Sequence, residues 1–422
     1  MRAVLVTAGE PLPEDRADIR LHRTGQFAAW MTARGHEVDW VTNRFDHFQK
    51  RQRSNTGVMH LAPNYRIHLL ESRGYRRNIS LARFLDHADL GRAFRAVAAG
   101  FVGRADIVIA AMPTIELAAE AVGWARATGV ASLVDIRDLW PDVIIERAPV
   151  GARWIPRLAL SRLSSTLDRA LGETGGLIGL NQAFVDWGRR HAGRDAGPLD
   201  TVIPLGYEFR PLPEADRAAA LKFWRDRGLD LGKHSPPVLA FAGSVSNVMD
   251  FGPVLAAGER LRSRGVRTVI CGVGERLASL ERAAYSRPDL LLAGWCSYAQ
   301  LRVLLERSTV GLLPYHDSVN YRNHAPNKAG EYLAHGLPIA WSLGTGPLAR
   351  MISQNDVGFS YNNDGAKLAD AVGALLDSPE RTTTSRAAAH ALFRVEFDAE
   401  AIHQRLLDHL QLCAAASKAS AA

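Results

Sequence analysis

Two clusters of polar residues sit where apolar stretches of this chain end, and each could do chemistry. The first is Asp135-Ile-Arg-Asp-Leu-Trp-Pro-Asp142, in which Asp135, Arg137, Asp138 and Asp142 gather just where the apolar run Ala131–Ile136 stops. Charges at the carboxyl end of a buried strand suit a ligand site in a parallel sheet. They equally suit an Arg–Asp pair that only holds a loop. The second is Pro326-Asn-Lys-Ala-Gly-Glu331. Lys328 and Glu331 are three apart at the start of a predicted helix, so they share a face. A carboxylate there can accept hydrogen bonds from sugar hydroxyls while the ammonium meets phosphate. A glutamate in a first helical turn also simply complements the helix dipole.

Glycines add weaker signals. Gly9 follows the first apolar run, and Gly243–Ser244 follows Val238–Ala242. Backbone amides in such loops can approach a phosphate, although a tight turn alone also asks for glycine. No GxxxxGK[ST] string occurs, which excludes a P-loop. A GxGxxA string, Gly344–Ala349, opens a helix, but it lies late in its half of the chain rather than at a first strand-to-helix turn. The three cysteines, Cys271, Cys296 and Cys413, form no CxxC pair. They point to buried thiols in a reducing compartment rather than to a disulfide framework or zinc site.

The elements that must carry these residues alternate. Ala3–Val6, Val38–Thr42, Ile107–Ala111, Ala131–Ile136, Leu177–Gly179 and Thr201–Pro204 read as strands separated by helical patterns. Pro204–Pro213 breaks the order and reads as a linker. The alternation restarts with Val238–Ala242, Thr268–Cys271, Leu290–Ala293, Val310–Leu313, Pro338–Trp341 and Gly358–Tyr361. That predicts two α/β domains, each a parallel sheet covered by helices. A closing helix, Ala399–Leu412, runs into the low-complexity tail Ala414–Ala422, expected to fray.

The chain has 422 residues, 47% hydrophobic and 23% charged, which excludes a disordered or membrane-embedded protein. No signal peptide is expected from the short apolar run and acidic residues at its start. The formal net charge of +7 is local: residues 44–104 hold 12 basic and 4 acidic side chains, while residues 105–422 are balanced. Within that stretch Arg73, Arg76 and Arg77 precede Leu81, Phe84, Leu85, Phe94, Val97 and Phe101, with Arg83, Arg92 and Arg95 between them. A basic amphipathic helix over 73–101 can lie on an anionic membrane or pack on its own sheet. No nucleic-acid motif accompanies the charge, so nucleic acid is not an expected partner.

Pro326–Pro338 resembles the donor-binding segment of family-4 glycosyltransferases of the GT-B fold, a "P-x-K-x-x-E-Y-x-x-x-G-x-P" string. Arg34-Gly-His-Glu-Val38, Thr201–Gly206 and Val269-Ile-Cys-Gly-Val-Gly274 resemble its second-strand approach, linker strand and "GdG" turn. Asp135–Asp142 and Phe45-Asp-His-Phe-Gln-Lys50 look like its bacterial N-acetylfucosamine-transferase-like branch. The resemblance covers nearly the whole chain in order.

It implies two Rossmann-like domains with a deep interdomain cleft: residues 1–205 for the acceptor, 206–395 for the nucleotide-sugar, and 396–422 as a helix and tail returning to the N-terminal domain. It implies a UDP-linked donor, retention of anomeric configuration and no metal or other cofactor. Gly243, Ser244, Asn327, Lys328 and Glu331 would bind the donor. Asp138, Arg137 and Glu331 would serve catalysis. Gly9, Arg20 and Arg23 would meet phosphate or acceptor. The acceptor would be a glycan or polyprenyl-diphosphate-linked glycan of a bacterial surface polysaccharide, at the inner face of the cytoplasmic membrane. The chain departs from the family at two places. Asn323 stands where many relatives have a first glutamate, and Ser244–Asp250 lacks the Arg and Lys that often follow that strand. A sugar-nucleotide epimerase of the same fold and a catalytically degenerate scaffold are the alternative readings.

Overall fold

The computed structural model describes residues 1–15, 19–233, 235–323 and 326–421. They divide into two compact units, Met1–Pro204 with His403 onward, and Leu205–Ile402.

In the first unit the strands are β1 (Arg2–Val6), β2 (Glu37–Asn43), a two-residue ribbon β3 (Phe45–Asp46) with β4 (Arg51–Gln52), β5 (Gly57–Ala62), β6 (Tyr65–Leu70), β7 (Ile107–Ala111), β8 (Ala131–Ile136), β9 (Gly176–Gly179) and β10 (Thr201–Val202). The main sheet has the order β10-β9-β8-β7-β1-β2-β6-β5. All neighbours are parallel except the edge strand β5, which runs antiparallel to β6. Strands covered on both faces must be apolar throughout, and β7 and β8 are buried at every residue.

In the second unit the strands are β11 (Val238–Ala242), β12 (Arg267–Cys271), β13 (Leu290–Gly294), β14 (Val310–Leu313), β15 (Ile339–Trp341) and β16 (Gly358–Ser360). They form one parallel sheet in the order β13-β12-β11-β14-β15-β16. Each unit is thus a Rossmann-like α/β layer structure. In each, the strand order reverses beside the first strand, between β1 and β7 and between β11 and β14. Ligands of open parallel sheets bind beyond the carboxyl ends of the strands at such points.

Three expectations change. The basic stretch 44–104 contains β5 and β6, whose alternation of Tyr65, Ile67 and Leu69 inward is a strand signature. The second half of the helix Leu81–Ala98 packs on its own fold: Leu90 and Phe94, with Phe101 just beyond it, are buried, while Leu81 and Leu85 in its first half are exposed. Phe94 and Phe101 meet Trp124 of the helix Ile115–Thr128 edge-on. Arg73 and Arg92 pair with Asp89, and Arg95 with Glu120, so three of the six cations expected to face lipid are paired within the fold. The tail expected to fray is helical through its described residues: the last helix runs from Ala399 to Ala421. Its Cys413 and Ala414 are buried, which explains why an alanine-rich end stays ordered.

The segment read as a linker is structured at its centre. Tyr207 is buried, donates its amide to Phe397 O at 2.7 Å and bridges to Asp398. The helix Glu214–Arg225 follows it, anchored by a fully buried Trp224.

Candidate functional site

The carboxyl ends of β1 and β8 hold a buried charge cluster in the first unit. The Glu10 carboxylate accepts from Thr24 N at 3.1 Å and from the Thr24 hydroxyl at 2.7 Å. It also accepts from Arg137, whose Nε donates to Asp135 at 2.8 Å and whose second terminal nitrogen donates to Thr24 Oγ1 at 3.0 Å. Arg23 donates to the carbonyls of Ile203 and Pro204 and pairs with Asp135 at 3.1 Å. Burial pushes the Arg23 guanidinium down from its usual range. Burial opposes the charge of Arg137 too, but Asp135 and Glu10 raise it overall.

Two cations thus face two carboxylates in a self-neutral knot. Both pair with carboxylates inside the fold, while Arg23 Nε and Nη2 donate no hydrogen bond to a described residue. The two arginines fix the loops after β1 and β8.

Those loops carry the remaining predicted residues. Gly9 has φ +82° and donates its amide to Asn43 Oδ1 at 2.9 Å. Arg20 is exposed, and its charge is felt at His22. Asp138 accepts from the next amide, Leu139 N, at 2.8 Å. Burial raises its carboxyl above the usual range, with Arg83 acting in the opposite sense.

In the second unit the carboxyl end of β11 faces the helix Asn327–Ala334. Gly243 has φ +140°, open to glycine and strained for other residues. Its amide donates to Cys271 O at 2.9 Å, so it is already engaged. What Gly243 supplies is space: a Cβ there would lie 2.1 Å from Lys328 Cε and 2.6 Å from Lys328 Nζ. Gly272, at φ +145°, is required in the same way, because its Cβ would meet Gly243 O at 1.8 Å.

Lys328 reaches over the Phe241 ring at 5.6 Å. Its ammonium makes no hydrogen bond or ion pair with another described residue. Burial lowers its pKa, with Glu331 raising it in part. Glu331 acts on Cys271 and Tyr332 as well, which places its charge at the same strand ends. Tyr332 is fully buried, accepts from Ala242 N at 3.2 Å and donates to Leu312 O at 3.1 Å. That bracket pins the helix to β11 and β14 and so aims Lys328 and Glu331. Ser244 and Asn327 are exposed beside them.

The sequence-predicted donor residues therefore converge. Missed from sequence were Glu10 and Thr24, which hold Arg137, and Tyr332 and Gly272, which hold the second cluster. Glu10 directly follows Gly9 and Tyr332 directly follows Glu331, so position after a strand was the available signal. Among the described residues no group of three or more His, Cys, Asp and Glu side chains is gathered to hold a metal ion. No helix among them is long and apolar enough to cross a membrane.

Residues 236–378, which carry Gly243, Lys328 and Glu331, match the family "Glycosyl transferases group 1". No curated protein matches the chain significantly. Sucrose-phosphate synthase from Thermosynechococcus elongatus has a similar fold, with a TM-score of 0.73 at 17% identity over 99% of this chain and 100% of that one. Anabaena HepE, solved with UDP and glucose, gives 0.62 at 12% identity over 97% and 99% of the two chains. WaaG, a glycosyltransferase involved in lipopolysaccharide biosynthesis, gives 0.63 at 15% over 97% and 99%. At these identities the likeness shows the fold alone: two Rossmann-like units of the GT-B kind. The family match adds support for a GT-B glycosyltransferase.

Proposed function

We propose that the protein is a retaining glycosyltransferase that moves a sugar from a UDP-linked donor to a glycan or lipid-linked acceptor in surface-polysaccharide synthesis. One observation carries the reading: the family-matched segment brings together, at the strand-order reversal of the second unit, Glu331, the opening at Gly243 and a Lys328 ammonium that pairs with no other described residue. HepE, a protein of similar fold, binds UDP and UDP-glucose, which agrees with a nucleotide-sugar at this place.

In this account Lys328 meets the diphosphate and Glu331 accepts from the ribose hydroxyls. The departing diphosphate gains its stabilisation from the lysine charge and nearby amides, without a metal ion. The first unit holds the acceptor. There Asp138 acts on the reacting groups, and Arg137 is a positioning residue for the loop that carries it. WaaG, a protein of similar fold, is involved in lipopolysaccharide biosynthesis, which agrees with a lipid-linked acceptor at the inner face of the cytoplasmic membrane.

Glu331→Ala is expected to abolish nearly all transfer of sugar from UDP-sugars. Wild-type turnover in that variant would overturn the ribose-binding role. The scaffold reading draws on the loop Ser244–Asp250, which holds no Lys or Arg. Tight UDP binding without turnover on any acceptor would favour it, and product formed from donor alone would favour an epimerase.

A further inference from the structure

The basic excess of residues 44–104 has a structural remainder. Arg44, Arg53, Arg66, Arg73, Arg92 and Arg95 each pair with a carboxylate. The other six form no ion pair with any described residue: Arg104, and the five Lys50, Arg51, Arg76, Arg77 and Arg83. These five fall in two short segments that meet around one tyrosine. Lys50 Nζ lies 4.7 Å from the Tyr75 ring centre. The Arg83 guanidinium lies 5.4 Å from the same ring and 4.4 Å from that of Trp140. Both cations reach Asn78: Lys50 donates to its side-chain oxygen, and Arg83 to its carbonyl at 2.8 Å.

His47 hydrogen-bonds the Tyr75 hydroxyl at 2.5 Å, and Arg83 Nε lies 3.3 Å from His87 Nε2. Burial first, then the charges of Lys50 and Arg83, push His47 down to about 4. Burial and Arg83 push His87 down to about 3. Two imidazoles are thus kept neutral beside two cations that feel the carboxylates of Asp46, Asp86 and Asp138 without forming an ion pair with any of them. A concentrated positive potential over aromatic rings, with donors left over, suits an anion with several oxygens.

We propose that Lys50 and Arg83, seated on Tyr75 and Trp140, form a binding site for a phosphoryl or diphosphate group. Arg76 and Arg77, both exposed on the next residues of the chain, extend its field. Exposed apolar side chains occur in the same segments: Phe48, Ile79 and Leu81. A diphosphate bearing a hydrocarbon tail fits both features. Naming that diphosphate as the acceptor's rests on the glycosyltransferase reading; the anion site does not.

The test is calorimetric binding of inorganic pyrophosphate and of farnesyl diphosphate, with UDP saturating. Lys50→Gln and Arg83→Gln should each weaken both probes by roughly 10- to 100-fold, the loss of one charge-assisted hydrogen bond. Arg83→Lys, which keeps the charge, should lose less than Arg83→Gln. UDP affinity should stay unchanged in all three variants, and wild-type near-UV circular dichroism and Tm report that the first unit still folds. Tighter binding of farnesyl diphosphate than pyrophosphate assigns the site to lipid-linked diphosphate, and equal binding assigns it to free phosphates. Unaltered pyrophosphate binding in both Gln variants overturns the site. Absence of UDP binding in the wild type would defeat the proposed function while leaving this site standing.

A second surface is carried by a different observation. Residues 147–167 contain Arg147, Arg153, Arg157 and Arg162 and no Asp or Glu, a charge of +4 hidden inside the balanced remainder of the chain. Val150, Trp154, Ile155 and Leu158 in that segment are 78%, 63%, 52% and 70% exposed. Large apolar side chains clustered on a surface and rimmed by arginine match the boundary of an anionic bilayer. We infer that this segment, rather than the buried face of Leu81–Ala98, is the membrane contact.

Co-sedimentation with vesicles of 70% phosphatidylcholine and 30% phosphatidylglycerol should show binding, absent with phosphatidylcholine alone. Trp154→Ser with Leu158→Ser should lower the partition constant by on the order of tenfold or more, and Arg157→Gln by about fivefold. Failure of the wild type to bind, or binding unchanged in the double variant, overturns it. So does a dimer in solution that the double variant dissolves, since a second copy would then be the occupant.

Discussion

Gly243→Ala probes the second cluster at its tightest point. The new Cβ would stand 2.1 Å from Lys328 Cε and 2.6 Å from its Nζ, well inside any real contact distance. The obstructing atoms are the end of a flexible side chain, so the lysine can swing away and the fold survives. The backbone strain at φ +140° costs about 1–3 kcal/mol. For units of this size that lowers Tm by about 2–4 °C per kcal/mol. The larger effect is on binding. A displaced ammonium forfeits a charge-assisted hydrogen bond of about 1.5–3 kcal/mol, so UDP affinity should fall roughly 10- to 150-fold. The assay is calorimetric UDP binding in a double-mutant cycle with Lys328→Ala. Once Lys328 is truncated nothing is left to displace, so adding Gly243→Ala should cost under about threefold more. Equal losses from Gly243→Ala in both backgrounds would refute the claim that Gly243 exists to seat Lys328.

Asp138→Ala should lower transfer by about a hundredfold or more with UDP affinity unchanged, read by steady-state kinetics beside calorimetry, because Asp138 lies outside the family-matched donor segment. Glu10→Gln should cost about 3–5 kcal/mol in denaturant unfolding, since it leaves Arg137 buried against one carboxylate fewer. Glu116 has its carboxyl raised by burial from 4.5 to about 6. The folded state therefore holds its proton more tightly, and stability falls as pH rises through about 6. Glu116→Gln should be neutral near pH 4 and stabilising by about 2 kcal/mol at pH 8, measured by urea titration at both pH values.

The parallel strands were legible because burial on both faces makes them nearly continuous apolar runs: Ile107–Ala111, Ala131–Ile136, Val238–Ala242 and Val310–Leu313 fall at the observed bounds. β5 and β6 were not, because arginine and histidine occupy their other face. There Arg66 and His68 bond Asp39 at 2.8 Å each, and a charge-rich string hid the alternation of Tyr65, Ile67 and Leu69. The helix Leu81–Ala98 misled for the converse reason. A basic amphipathic pattern looks the same whether its apolar stripe meets lipid or another helix, and Trp124, distant in sequence, decides it. At the site, residue type and helical spacing located Lys328 and Glu331. The opposite partner across the sheet was invisible: nothing in the local sequence announces that Arg137 closes on Glu10, 127 positions away. Net charge summed over 105–422 likewise concealed the acid-free segment 147–167.

The central claim is that the second unit binds a nucleotide-sugar through Lys328 and Glu331. Thermal unfolding against a panel of nucleotide-sugars tests it most directly, because a ligand that binds only the folded state raises its stability. A selective rise in Tm with UDP-sugars, lost in Lys328→Ala and in Glu331→Ala, is the predicted result. No rise with any nucleotide-sugar, or an equal rise in both variants, would contradict it.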